Sequence, residues 1–116
     1  MLVTVNNTPF KVKIAVTPEA IRKGMQKQRF QDENEGMFFI VREQEHCYWM
    51  KDCIIPLDII FIKDGEVVKI YEDCPPCDEE DCSRYCSDAD RILEIGGGMS
   101  KKFGIKEGDT VTVQLF

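Results

Sequence analysis

The chain consists mainly of short runs with the apolar pattern of β-strands, separated by turn residues. Residues 10–17 alternate apolar and polar, the two-residue period of a half-buried strand. Residues 37–41 and 54–62 are apolar on both faces, which is typical of interior strands. Asp64-Gly65 lies between two such runs and predicts a type I′ hairpin, because both residues tolerate positive φ. Further strands are predicted at residues 3–5, 67–68, 92–95 and 111–115.

Two helices are predicted beside these strands. Thr17 is a suitable N-cap and Pro18 suits the first helical position, so we expect a helix over residues 18–28. A short helix is expected near 99–103, with Gly104 in the left-handed capping position. Gly24 inside the first helix suggests close packing against another element.

The expected fold is a mostly β (α+β) single domain over residues 1–116. With 116 residues and 43% hydrophobic content, the chain is long enough for one real core. About eight short strands and few helices favour a compact, β-barrel-like sheet, since closure removes exposed strand edges.

Net charge limits the choice of partner. A formal charge of −6 disfavours binding to nucleic acid or to an anionic membrane surface, both of which depend on clustered Lys and Arg. The expected partner is therefore a neutral or cationic small molecule or a protein. Residues 1–5 show no signal-peptide pattern, so we expect a cytoplasmic chain, or else one whose leader has been removed.

Residues 72–90 are predicted to form an acidic, cysteine-rich loop. Cys74, Cys77, Cys82 and Cys86 have spacing close to that of a zinc knuckle. Disulfides, a structural zinc ion, free thiols and a redox pair are all possible from the spacing alone.

The residues around these cysteines disfavour metal and redox chemistry. Pro75 and Pro76 remove two backbone donors that a metal-bound thiolate would use, and residues 78–81 are all acidic. A loop held by disulfides is the leading interpretation, and a zinc-binding or redox-responsive protein is the alternative. Cys47 and Cys53 are expected to be small buried apolar residues, too far apart to bond to each other.

The central segment resembles a known family. Its motifs, in chain order, are Gly36-Met37-Phe38-Phe39, Trp49-Met50-Lys51, Ile55-Pro56-Leu57-Asp58, Pro75-Pro76-Cys77, Leu93-Glu94 and Gly108-Asp109. Together they resemble domain of unknown function 192 over residues 10–113, nearly the whole chain.

The resemblance implies a compact, β-rich single domain without an established activity. Members of that family often carry a secretion leader, which is not visible here. The family pattern also implies a disulfide between Cys77 and Cys82. The remaining cysteines and Gln26 depart from the pattern, so the resemblance implies no four-cysteine metal site.

Four residues within or beside these motifs are the candidate ligand-binding set: Trp49, Lys51, Asp58 and Glu94. Trp49 could form the floor of a pocket or lie in the core. Asp58 follows Pro56 at the start of an apolar strand, where it either orients a ligand or caps backbone N–H groups. Lys51 could pair with that acid, and Glu94 could line the same cavity or lie at the rim.

These residues predict a non-enzymatic binding module. His46 is the only histidine, no serine has the context of a nucleophile, and the glycine run 96–98 lacks the tail of a phosphate loop. An enzyme using Asp58 with Lys51 would need the two groups near hydrogen-bonding distance. We therefore expect no catalytic residue and no cofactor.

Overall fold

The computed structural model describes residues 1–114, which form seven strands and two short helices. In chain order the elements are β1 (Leu2–Val5), β2 (Thr8–Ala15), α1 (Pro18–Lys23), β3 (Glu35–Tyr48), β4 (Leu57–Lys63), β5 (Glu66–Cys74), β6 (Tyr85–Gly96), α2 (Met99–Lys102) and β7 (Val111–Gln114). The strands form one sheet in the order β5-β4-β6-β3-β2-β1-β7. Neighbours are antiparallel except β2 and β3, which are parallel because the chain crosses over through α1.

The two edges of this sheet approach each other, so the sheet curls into a half-barrel. The N–H of Val67 in β5 donates to the carbonyl of Asp109 at 2.9 Å, and the N–H of Val111 in β7 donates to the carbonyl of Gly65 at 2.8 Å. These bonds satisfy backbone groups that a flat sheet would leave exposed. The expected mostly β, barrel-like fold is confirmed.

The hairpin predicted at Asp64-Gly65 joins β4 and β5. Asp64 has φ 52° and Gly65 has φ 76°, as a type I′ turn requires. The same geometry recurs at Asn6 and Asn7, between β1 and β2, where both φ values are positive. Short polar side chains tolerate this backbone better than other residues.

The first helix is shorter than predicted. The Thr17 hydroxyl accepts the N–H of Ala20 at 3.1 Å and starts α1, but the helix ends at Lys23. Gly24 follows with φ 48° and ψ −131°, which leaves the helical region, and Lys27 also has positive φ. The second helix lies where it was expected, with Gly104 at φ 69° after it.

The central strands bury both of their faces, which explains their continuous apolar sequence. One cluster contains Phe39, Ile59 and Ile92 and lies beneath α1, while the other contains Phe38 and Ile60 on the opposite face. Successive residues of each strand point to opposite clusters. The candidate pocket described below lies on the side of the first cluster.

The segment 72–90 contains more regular structure than its composition suggests. The fifth strand continues to Cys74, and the sixth begins at Tyr85, so the connecting loop covers only residues 75–84. The early part of β6 pairs with the end of β3 and forms a two-stranded extension. Within residues 1–114, no helix has the length and apolar character needed to cross a membrane.

Candidate functional site

Three of the four candidate residues line one pocket: Trp49, Lys51 and Glu94. We call this the Glu94 pocket; its other walls include Met25, Phe39, Tyr48 and Cys53, and its volume is about 220 Å³. It lies between the end of α1, the end of β3 and the last residues of β6. The sheet register places Glu94 opposite Met37 of β3 and Ile59 of β4, on a face that is otherwise apolar.

Glu94 is a buried carboxyl, and the possibility that it lies at the rim is wrong. Its residue is 3% exposed, and no side-chain hydrogen bond or ion pair found among residues 1–114 involves its carboxyl. Burial away from water disfavours the charged form and raises the pKa of Glu94 to about 8. At neutral pH the group is therefore mostly protonated, and it can donate as well as accept a hydrogen bond.

Tyr48, a second residue of the pocket wall, carries a polar group without a partner. Its hydroxyl oxygen is fully buried and has no hydrogen-bond partner among the described residues. Burial raises the pKa of Tyr48, and the nearby Glu94 adds to that effect. The Tyr48 ring packs edge-on against Phe39, with ring centroids 5.0 Å apart, so its position is fixed by the core.

Cys53 is a buried thiol in the wall of the Glu94 pocket. Burial, then the neighbouring Glu94 and Asp52 carboxyls, raises the pKa of Cys53 to about 12. The thiolate is the reactive form of cysteine, so this side chain is protonated and unreactive at neutral pH.

Trp49 and Lys51 connect the Glu94 pocket to the loop over residues 75–84. Trp49 is half-buried, and the Arg84 guanidinium lies 4.3 Å from its ring centroid. The Lys51 ammonium donates to the carbonyls of Asp78 and Glu79. Trp49 is therefore a pocket wall rather than a fully buried core residue, and Lys51 anchors the loop.

Asp58 is the candidate residue that does not reach the pocket. It is fully buried and accepts the N–H groups of Asp73 at 2.7 Å and Gly98 at 2.9 Å. Its other carboxyl oxygen accepts from the backbone N–H of Ser100 at 2.8 Å and from the Ser100 hydroxyl at 2.6 Å. Four bonds saturate this carboxylate, so it holds the start of α2 against β5. Lys51 is not its counter-charge.

Two disulfides join four of the six cysteines. The strand disulfide, Cys47–Cys86, links β3 to β6 where the register places the two residues opposite each other, with Cα atoms 4.1 Å apart. The loop disulfide, Cys77–Cys82, closes the loop over residues 75–84. The pairing implied by the family resemblance for Cys77 and Cys82 is therefore present.

The structure differs from the sequence prediction at Cys47 and Cys74. Cys47 is exposed and bridged, because β3 continues much further than its apolar pattern and carries Cys47 to Cys86. Cys74 is a buried free thiol at the end of β5, and burial is the main cause that raises its pKa to about 11.

The cysteines expected for a metal site do not converge. Three of the four sulfurs in the segment are in disulfides, and residues 1–114 contain no group of three His, Cys, Asp or Glu side chains placed to hold a metal ion. Two disulfides in one small chain are typical of an oxidising compartment. The expected cytoplasmic location is therefore wrong.

Sequence reasoning missed Tyr48 and Cys53 as parts of the pocket. Tyr48 is adjacent to Trp49, but nothing in its sequence context shows that its hydroxyl lacks a partner. Glu94 carried a usable signal, since it shares a face with Ile92 in a strand that is otherwise apolar. A charge at such a position predicts either a buried pair or a pocket.

These features define a class: a small half-barrel domain with a pocket beside its first helix that contains a buried carboxyl group. The chain belongs to the family domain of unknown function 192 (DUF192), described as an uncharacterized ACR, which matches residues 1–113. No curated protein matches the chain.

Two solved structures share the whole fold. One is a protein of unknown function from Novosphingobium aromaticivorans DSM 12444, 32% identical, with a TM-score of 0.87, covering 97% of this chain and 84% of that one. The other, from Sinorhizobium meliloti 1021, is described as a candidate transcription regulator; it is 26% identical, with a TM-score of 0.86, covering 96% of this chain and 89% of that one.

Proposed function

We propose that this protein is a non-enzymatic binding module that holds a small ligand in the Glu94 pocket. The observation that carries the proposal is the buried Glu94 carboxyl in the wall of one cavity, together with the buried hydroxyl of Tyr48, another wall residue; neither group has a hydrogen-bond partner among the described residues. Leaving a buried polar group unpaired costs on the order of 1–3 kcal/mol. A bound ligand that reaches both groups would recover that cost.

The walls of the pocket support the same proposal. Phe39, Tyr48, Trp49 and Met25 supply apolar and aromatic surface around the two polar groups. Small-molecule sites have this composition, in which apolar walls give affinity and a few polar atoms fix orientation. A volume of about 220 Å³ is below the roughly 300 Å³ at which drug-sized pockets begin, so the ligand is small.

The chemistry of the pocket favours binding over catalysis. The Cys53 thiol is held in its protonated form, and the neighbouring carboxyls raise its pKa further, so it lacks the lowered pKa that activates a cysteine nucleophile. None of the hydrogen bonds found among the described residues joins Glu94 to a group that could exchange a proton with it. The remaining polar contacts of the site, made by Lys51, connect it to a loop.

Binding can be followed through Trp49, the only tryptophan of the chain. A library of small polar fragments is screened by Trp49 fluorescence and by backbone amide shifts in NMR spectra. We expect fragments that bind the wild type and shift residues of the Glu94 pocket, and we expect Glu94→Leu, which removes the hydrogen-bonding group, to weaken them at least tenfold.

The matched control is Glu45→Gln, which removes an acid from an exposed position of β3 outside the pocket. It should bind the same fragments as the wild type. If no fragment shifts the pocket residues, or if both variants bind equally, the proposal is wrong.

A further inference from the structure

We infer that the ligand of the Glu94 pocket is a small amino-carboxylate, which enters with its ammonium group toward Glu94 and leaves its carboxylate at the mouth. This inference rests on the proposed function and deepens it by naming the chemical class of the ligand.

The inner end of the pocket offers a carboxyl to a cation. Glu94 is buried, has no partner among residues 1–114, and faces a cavity rather than a packed side chain. Neither ammonium group of the pocket residues pairs with it, because that of Lys51 is bound to two loop carbonyls and that of Lys23 makes no salt bridge among residues 1–114. A carboxylate in a low-dielectric site is stable when a cation pairs with it, and an ammonium has three N–H donors for Glu94 and for the Tyr48 hydroxyl.

The walls around that carboxyl suit a cation. Phe39, Tyr48 and Trp49 line the pocket with aromatic surface, and aromatic faces attract cations through the ring quadrupole. The Trp49 ring already makes one such contact within the chain, with the Arg84 guanidinium. An apolar end group would find the same walls but would leave Glu94 without a hydrogen bond.

The outer end of the pocket has the opposite charge. Arg22 and Lys23 line it from the last turn of α1, and both residues are exposed, so they lie at the solvent end. None of the salt bridges found among residues 1–114 involves either residue. These cations would repel a simple amine, whereas they would pair with the outer carboxylate of an amino-carboxylate.

Binding an ammonium should change the protonation state of Glu94. Because burial raises the pKa of the free carboxyl to about 8, the group is protonated in about nine of ten molecules at pH 7. Ion pairing requires the carboxylate, so the complex releases close to one proton. By linkage, the dissociation constant should rise about tenfold when the pH falls from 7 to 6.

Other groups of the pocket should not produce this pH dependence. Burial raises the pKa of Tyr48 and of Cys53, so both stay protonated between pH 6 and 7. The charged groups facing the pocket from α1 and from the segment after β3 are the cations Arg22, Lys23 and Lys51. The ligand keeps both of its charges over the same range.

The test compares three probes of equal chain length by calorimetry: 6-aminohexanoate, hexylamine and hexanoate. We expect 6-aminohexanoate to bind at least tenfold more tightly than either of the others, with release of close to one proton at pH 7 in paired buffers of different ionisation enthalpy. Glu94→Gln should weaken it roughly 10- to 100-fold and abolish the proton release. A short peptide with an internal lysine, tested beside the free probes, shows whether the amine can belong to a protein partner.

A second variant tests the mouth independently of the buried acid. The double substitution Arg22→Gln with Lys23→Gln lies on an exposed helix turn and should leave folding intact. It should weaken 6-aminohexanoate but leave hexylamine unchanged or bound more tightly. Glu45→Gln is again the neutral control.

The outcomes separate this inference from the proposed function. If hexanoate binds best, or if binding releases no proton, the ammonium-inward orientation is wrong. If polar fragments shift the pocket residues but none of the three probes does, the pocket is a ligand site and the amino-carboxylate inference is wrong. If nothing binds in the pocket, both are wrong.

Discussion

Replacing Glu94 by glutamine should change how the stability of the protein depends on pH. Glutamine keeps the size and hydrogen-bonding capacity of the protonated acid but cannot ionise. In the folded protein burial raises the pKa of Glu94 from 4.5 to about 8, while the unfolded chain keeps the ordinary value. The folded state therefore binds the proton more tightly than the unfolded state does.

The sign and the size of the effect follow from this difference. The contribution of the protonated carboxyl to stability is complete below about pH 4.5 and is lost progressively as the pH rises toward 8. Each pKa unit corresponds to about 1.4 kcal/mol, so the loss between pH 5 and 8 amounts to at most about 4 kcal/mol. The free thiols and Tyr48 titrate above this range, because burial raises the pKa of each of them.

Urea unfolding followed by Trp49 fluorescence at pH 5, 6, 7 and 8 measures the effect. The wild type should lose up to about 4 kcal/mol more than Glu94→Gln over this range, and at pH 8 the variant should be the more stable of the two. Glu45→Gln should follow the wild type. Parallel curves for the wild type and Glu94→Gln would refute the reasoning, because Glu94 would then be solvated or paired.

The other predictions concern single contacts of the fold. Tyr48→Phe removes the buried hydroxyl without a partner and should raise the free energy of unfolding by about 1 kcal/mol in urea titrations; a loss of that size would mean the hydroxyl is satisfied. Asp58→Asn places an amide against N–H donors and should cost about 3 kcal/mol or more, and an unchanged midpoint would contradict the four bonds assigned to Asp58. Replacing both cysteines of the strand disulfide by serine should cost about 4 kcal/mol, against about 2 kcal/mol for the loop disulfide, because the first closes a longer loop. Equal losses would mean that loop entropy does not determine their effect.

The architecture was largely accessible from local sequence patterns. The run at 37–41 and the part of the run 54–62 that forms β4 are apolar on both faces because both faces are buried, whereas Ile54 precedes the strand and is exposed. Asp64-Gly65 has the backbone that its turn type requires. The length of α1 was not accessible in this way. A Cβ atom placed on Gly24 would lie 3.6 Å from the Phe39 ring. The helix ends at this tertiary contact, which the local sequence does not show.

The pocket was accessible only in part, because the residues that surround it are brought together by strand register. The family motifs predict that Trp49, Lys51 and Glu94 lie near one another. The same motifs include Asp58, whose hydrogen-bond partners instead come from β5 and the start of α2. The strand disulfide depends on β3 continuing through a polar stretch whose composition gives no strand signal. Those residues form a strand because β6 pairs with them, and a partner strand far along the chain cannot be identified from local sequence.

The most direct test is a crystal structure of the protein soaked with the fragments that shift the pocket residues in solution. The account predicts electron density for a fragment inside the Glu94 pocket, with a polar atom within hydrogen-bonding distance of the Glu94 carboxyl and of the Tyr48 hydroxyl. Density for ordered water bonded to both groups in every soaked crystal, with fragments bound elsewhere, would contradict it.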